Sequence, residues 1–340
     1  MMKKFLFFFT IVLVLACGKQ GPHGNAFSWN QNSGQPKGYI YVATEGGLSI
    51  SKDEGATYSN KTVSEGLGNN AVNGVYVDSN NVIYAATDGG LSISKDEGET
   101  FINKTTSDGL GNNIVENIKG DSSGTLYAST KGGLSLSSDG GDSFSNKTTS
   151  DGLGDNWIRD VSVSTDGTIY AATGGGISIS TNGGNSFINK TAANASLSDN
   201  TILRVLISSM GVIYAGTNDT NAGLEISTNG GSSFTQKTAT EGLVGNYVTG
   251  EIFEDNDNNL YIGTYSGLSI STNGSSSFSN KTTTQGLGNN VVRGIFVDSS
   301  KIYVGTNWRL SVSEDGGGSF TNYSTSNGLG HNQINDIYVR

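Results

Sequence analysis

Apolar positions along this chain come in short bursts, not at helical spacing. The stretch NVIYAATDGGLSISKDEGETFINKTTSDGLGNNIVENIKGDSS holds four of them: VIYAAT, GLSIS, TFINK and IVENIKG. Each is about five residues rich in β-branched and aromatic side chains, followed by Gly, Asn, Asp or Ser. Such turn residues accept positive φ or hydrogen-bond their own backbone, so the pattern predicts short strands joined by tight turns. The unit recurs. Tyr41, Tyr84, Tyr127, Tyr170, Tyr214, Tyr261 and Tyr303 mark it at spacings of 43, 43, 43, 44, 47 and 42 residues. Four five-residue strands with their turns fill that period. The turns are short enough for antiparallel hairpins, which argues against the parallel coils of a β-helix.

The phase of the repeat predicts how the ends meet. The first unit starts at the Tyr41 strand without an IVENIKG-type strand before it, and the last unit ends on that missing strand, Gln333 to Val339. In a ring, the last strand completes the first unit and removes two exposed sheet edges. The expected fold is therefore all-β: a seven-bladed β-propeller of four-stranded antiparallel blades over residues 38–340, closed by its N- and C-terminal segments.

Composition agrees. Hydrophobic residues make up 34% and charged residues 15%, with 50 glycines and 2 prolines. That is too polar and glycine-rich for a helical bundle, and collagen needs a strict Gly-X-Y period with much proline. Recurring β-branched and aromatic runs argue against disorder. The net charge is -10. A nucleic-acid partner needs a basic footprint and is excluded on this ground.

Residues 1–17, MMKKFLFFFTIVLVLAC, place two lysines before an apolar run too short to span a bilayer, which fits a secretory leader. Its end, Val14-Leu15-Ala16-Cys17, resembles the lipobox of bacterial lipoproteins, with leucine a mild departure at its second position. Cys17 is the one cysteine of the chain. The resemblance implies a diacylglyceryl anchor on Cys17 as the membrane contact, an exported protein of the bacterial envelope, and transit to an outer membrane because Gly18 follows instead of Asp. Residues 18–37 are polar and aperiodic and read as a tether.

Each unit carries S-x-[DN]-x-[GS]-x-[ST]-[FY], centred on Asp53, Asp96, Asp139, Asn182, Asn229, Asn273 and Asp315. This resembles the Asp-box, or BNR repeat, of sialidases and sortilin-type receptors. There the Asp or Asn caps turn amides and the aromatic packs between blades, so the motif speaks for fold and not for activity. A second pattern, EGLGNNAVNGVYVDSNNVIYAATDGGLSIS, resembles the two-component regulator propeller repeat, with Tyr in place of the usual Trp. In that family the propellers are periplasmic sensor halves of hybrid histidine kinases. The resemblance implies a shared sensing or binding module, since no kinase-length remainder follows here.

Candidate chemistry is sparse. His23 and His331 are the two histidines, and Cys17 is assigned to acylation, so no zinc, redox or other cofactor site is expected. The run Asp255 to Asn259 has calcium-like spacing but sits where other units place a hairpin turn. The Asn-Lys-Thr triplets look like glycosylation acceptors and read as strand-end residues. Of five arginines, Arg159, Arg204 and Arg293 are read at one phase of the repeat, where the other units have Asn73, Glu116, Thr249 and Asn335. That phase opens the innermost strand, so a carboxylate-binding cluster at the channel mouth is expected. The Arg-Ile-Pro motif and Tyr/Glu pair of sialidases do not stand out, and no enzyme is expected. Departures from the repeat gather in two loop sets placed on one face: Trp157, Tyr247, Tyr265, Trp308 and Arg309, with Asn218 to Asn221 inserted in the fifth unit. The expected function is a binding or sensing module for a glycan, peptide or envelope protein. A scaffold for an envelope complex is the alternative, and a glycoside hydrolase or lyase stands behind both.

Overall fold

The computed structural model describes residues 38–340. The leader, the lipobox and the tether therefore lie outside the described residues. The described residues form seven four-stranded antiparallel sheets, each with its strands in sequence order from the inside outward. Blade 1 is the exception that closes the ring. Its inner strand, Ile334–Val339, comes from the C-terminus and pairs with Ile40–Thr44, so that Tyr41 faces Tyr338 and Ile40 faces Val339. Gly38 and Tyr39 donate their N–H groups to the Arg340 carbonyl, and Arg340 N–H returns one to Tyr39. The terminal seam inferred from the repeat phase is present.

The inner strands of blades 2 to 7 are Val72–Val77, Val115–Gly120, Ile158–Val163, Ile202–Ile207, Ile252–Glu254 and Val292–Asp298. The next two strands of each blade are buried almost throughout because neighbouring blades cover both faces, and they bury serines and threonines such as Thr44, Ser49 and Ser51 along with the apolar residues. Leu48, Leu91, Leu134, Ile177, Leu224, Leu268 and Leu310 are wholly buried. Outer strands have only three residues, such as Ser59–Lys61 and Ile102–Lys104, and end in lysine in six of the seven blades, with Tyr323 in the last. Short, charged edges resist pairing with other chains.

The Asn-Lys-Thr triplets have a structural explanation. Asn60 accepts from Ser49 Oγ and donates to the Gly46 carbonyl, while Thr62 caps the short helix Val63–Glu65. The same bonds recur at Asn103 and Thr105, and at Asn146 and Thr148.

At the turns centred on Asp53 and its equivalents, the serine hydroxyl accepts from the backbone N–H four residues on, as Ser51 does from Gly55 and Ser271 from Ser275. Asp53 Oδ1 accepts from Thr57 N–H and Oδ2 from the Thr57 hydroxyl. Asn182, Asn229 and Asn273 keep the first bond and give the second through their amide, donating to Ser186, Ser233 and Ser277. These local bonds hold Asp96 and Asp315 down at about 2, and lower Asp53 and Asp139 as well.

Asp255 likewise serves its own turn. Its Oδ1 accepts from Asp257 and Asn259 N–H, and its Oδ2 from the Asn259 amide and the Tyr261 hydroxyl. The turn reading of this run accounts for both oxygens.

Candidate functional site at the channel mouth

The innermost strand of a propeller blade has one edge with no partner strand, and its buried N–H groups need acceptors. Here side chains of the preceding blade supply them. Asp336 Oδ2 accepts from Val75 N–H, Asp160 Oδ2 from Val205 N–H, Ser162 Oγ from Ile207 N–H and Glu251 Oε2 from Ile295 N–H. Each bond crosses from one blade to the next, so the channel wall is stitched by polar residues.

A register shift near the start of the inner strands of blades 2 to 5, and of blade 7, turns the second residue toward one mouth of the channel. The residues there are Asn73, Glu116, Arg159, Leu203, Thr249, Arg293 and Asn335, all half-buried. This corrects the expected phase of Arg204. In blade 4, Ile158 faces Thr173 and Asp160 faces Ala172, while in blade 5 Ile202 faces Thr217 and Arg204 faces Gly216. Arg204 is thus equivalent to Asp160, one step further into the channel, and Leu203 holds the position of Arg159. Arg293 does match Arg159, because the turn between the first two strands of blade 7 is one residue shorter and offsets the count from tyrosine.

Arg204 still bears on both of the other guanidinium groups. Burial lowers the pKa of Arg159 and Arg293, and the positive charge of Arg204 lowers both further. Arg204 spends one N–H on the Leu203 carbonyl at 2.9 Å, and Arg293 donates Nε to Asn307. Arg159 lies over the Trp157 ring, 4.0 Å from guanidinium carbon to ring centroid, and Lys131 Nζ lies 4.8 Å from the same centroid. Glu116 accepts from Trp157 Nε1 at 3.0 Å and pairs with Lys131 at 3.5 Å. Arg159 Nε and Thr249 Oγ1 are buried at this mouth without a hydrogen-bond partner.

Both variable loop sets lie on this side. Backbone bonds join them blade by blade, as from Asp88 N–H to the Ala71 carbonyl, Tyr265 to Tyr247 and Asn307 to Val291. Tyr247 and Tyr265 have ring centroids 6.3 Å apart. Tyr265 is 59% exposed and Trp308 64%. The backbone N–H of Arg309 bonds Thr306 Oγ1, so its loop is anchored.

Deeper in the channel is a cluster that the sequence reading missed. Lys119 of blade 3 reaches across to Glu251 of blade 6 at 2.9 Å. Asp160 and Asp336 act on Lys119 electrostatically, and the acids hold it charged against burial. Burial and the neighbouring charge of Glu251 push Asp336 up to about 7, opposed by Lys119. Blade 6 carries one more residue between Val248 and Ile252 than blade 2 does between Val72 and Val75, which places Glu251 in the channel wall. That extra residue was the available signal: it accounts for one of the four residues by which the 47-residue spacing exceeds 43, the loop insertion of the fifth unit accounting for the other three.

The two component regulator propeller profile matches residues 242–266, which cover the loop, inner strand and second strand of blade 6. No curated protein sequence matches the chain. Among solved structures, an ancestral GH74 enzyme is 18% identical at a TM-score of 0.63, with 85% of this chain and 45% of that one covered. PorZ, a surface component of the type-IX secretion system of Porphyromonas gingivalis, is 17% identical at 0.58, with 76% and 41% covered. YCF48 bound to D1 peptide is 13% identical at 0.57, with 79% and 87% covered. The chain also spans about half the length, 49% to 57%, of extracellular domains from one- and two-component systems of B. thetaiotaomicron, at TM-scores of 0.45 to 0.49. One fold thus serves an enzyme, a secretion component and a peptide-bound protein, and it does not choose among them. The chain is a seven-bladed β-propeller, and blade 6 carries a repeat of the two component regulator propeller type.

Proposed function

We propose that this protein is an exported, lipid-anchored binding module whose ligand, a carboxylate-bearing glycan or peptide, sits at the mouth framed by Arg159, Arg204 and Arg293. The observation that carries this reading is a concentration of unspent donors in one place. Arg159 Nε has no partner although buried, and Arg204 and Arg293 each make a single recorded hydrogen bond with a fork that has five N–H donors. Buried polar atoms without partners are rare and call for an explanation, and an incoming anion supplies one. In a protein of net charge -10, arginine forks with spare N–H groups give an anion a place that the rest of the surface does not. Tyr265 and Trp308 offer apolar surface beside it, while Cys17 supplies the anchor. Binding without catalysis is the proposed activity.

A scaffold role in an envelope complex is the second reading, favoured by the exposure of Tyr265 and Trp308 on adjacent blades, which suits a protein partner. Glycan and peptide arrays probed with the wild-type chain and with Arg159→Ala/Arg204→Ala/Arg293→Ala test the proposal. Retention of acidic ligands by the wild type alone is expected. Equal retention by the variant would remove the mouth from the account.

A further inference from the structure

We propose that the channel is a blind socket for the free C-terminal carboxylate of a peptide, entered from the arginine side. This rests on the binding reading above and names its ligand.

The socket has a floor, because inner-strand side chains from distant blades meet across it. Four aromatics run round one side of this level, with ring centroids 5.5 Å apart for Phe253 and Phe296, 5.4 Å for Phe296 and Tyr338, and 5.9 Å for Tyr338 and Tyr76. Lys119 and Glu251 bridge the remaining gap from blade 3 to blade 6. A polymer cannot thread this channel, so it enters by an end.

The mouth is rich in donors, and several of its acceptor atoms are already engaged. Glu116 Oε1 meets both Trp157 and Lys131, and Glu45 Oε1 accepts from both Gln333 and Asn335. Asp88 accepts from Asn73, and Asn307 from Arg293. A sugar ring presents hydroxyls that need acceptors as well as donors, whereas a carboxylate needs donors alone. The Trp157 ring, a natural platform for a sugar, already carries Arg159 and Lys131. These features favour a peptide end over an acidic glycan. Tyr265, whose position bears on the charge of Arg293, and Trp308, next to the Asn307 that holds Arg293, flank that arginine where side chains preceding the terminus would lie.

The test uses the full-length chain and a library of short peptides with free C-termini, alongside the same library amidated at the C-terminus. Peptides retained as free acids are measured individually by calorimetry in both forms. Amidation is expected to weaken binding by roughly ten- to hundredfold, the loss of charge-assisted hydrogen bonds, and the triple alanine variant should not distinguish the two forms. Equal affinity of acid and amide, or selection of acidic glycans over every peptide, would overturn the proposal, while arginine-dependent binding in either case would leave the mouth itself as a site. Loss of all arginine-dependent binding would take down both readings.

Discussion

The two faces of the ring are built from the same seven repeats and have been put to different uses. On one face, the turns at Asp53, Asp96, Asp139, Asn182, Asn229, Asn273 and Asp315 repeat one set of bonds, and each side chain is spent on its own turn. On the other face, a backbone bond between the two loops recurs, as from Asp88 to Ala71 and from Lys131 to Ile114, but loop length and side chains differ from blade to blade. There the equivalents of Arg159 are Asn73, Glu116, Leu203, Thr249, Arg293 and Asn335. Where a side chain is needed to close a turn, its identity is fixed by the turn. Where a few fixed residues, such as Thr44, Thr87 and Thr130, close the loop, the side chains beside them are free for another role.

The comparison can be broken at the seam both faces share. Deleting residues 333–340 removes the inner strand of blade 1 and exposes the edges of both Ile40–Thr44 and the neighbouring blades' contacts. The largest effect of all is expected here: aggregation, or a melting transition lowered far beyond that of any point variant. A monomer as stable as the full chain, by light scattering and calorimetry, would mean that the ring does not depend on the seam.

Next in size are the turns. Asp96→Ala/Asp139→Ala/Asp315→Ala removes acceptors from Thr100, Ser143 and Ser319 N–H, and the melting temperature should fall by several degrees. The native pKa of these carboxylates lies below the unfolded value, so their contribution is full above about pH 4 and is lost as pH falls toward about 2. Wild-type stability should show that acid limb, and the triple variant should show less of it.

Asp336 predicts the opposite slope. Its native value of about 7 stands above the unfolded one near 4, so its protonated form favours folding below about pH 4, and that advantage is lost as pH rises to about 7. Glu251 and Lys119 face it, and the sign follows from burial and Glu251 outweighing Lys119. Asp336→Asn should flatten the pH dependence of melting between about 4 and 7. An unchanged slope would place the titration elsewhere.

Most of the fold was legible because it is written seven times. The tyrosine period, the strand content and the terminal seam all follow from spacing and phase, without side-chain geometry. The channel was harder to read for a physical reason. A bulge shifts which residue faces the mouth, and a turn shortened by one residue in blade 7 offsets the count, so Arg204 and Arg293 stand at the same distance from their tyrosines but at different depths. Likewise, Lys119 and Glu251 meet across 132 positions of sequence, which no repeat unit records. The face that carries the variable residues was readable from topology alone, because its two loop sets are separated by one up-and-down pass of the chain.

The most direct test sets the two faces against each other in one experiment. The turn variant Asp96→Ala/Asp139→Ala/Asp315→Ala and the mouth variant Arg159→Ala/Arg204→Ala/Arg293→Ala are each measured for melting temperature and for retention of a carboxylate ligand selected by the wild type. The account predicts a clean exchange. The turn variant melts earlier but keeps the ligand, and the mouth variant keeps its melting temperature, since it loses mutual repulsion and few bonds, but drops the ligand. A mouth variant that holds the ligand as tightly as the wild type, or a folded turn variant that loses it, would contradict the division of labour between the faces.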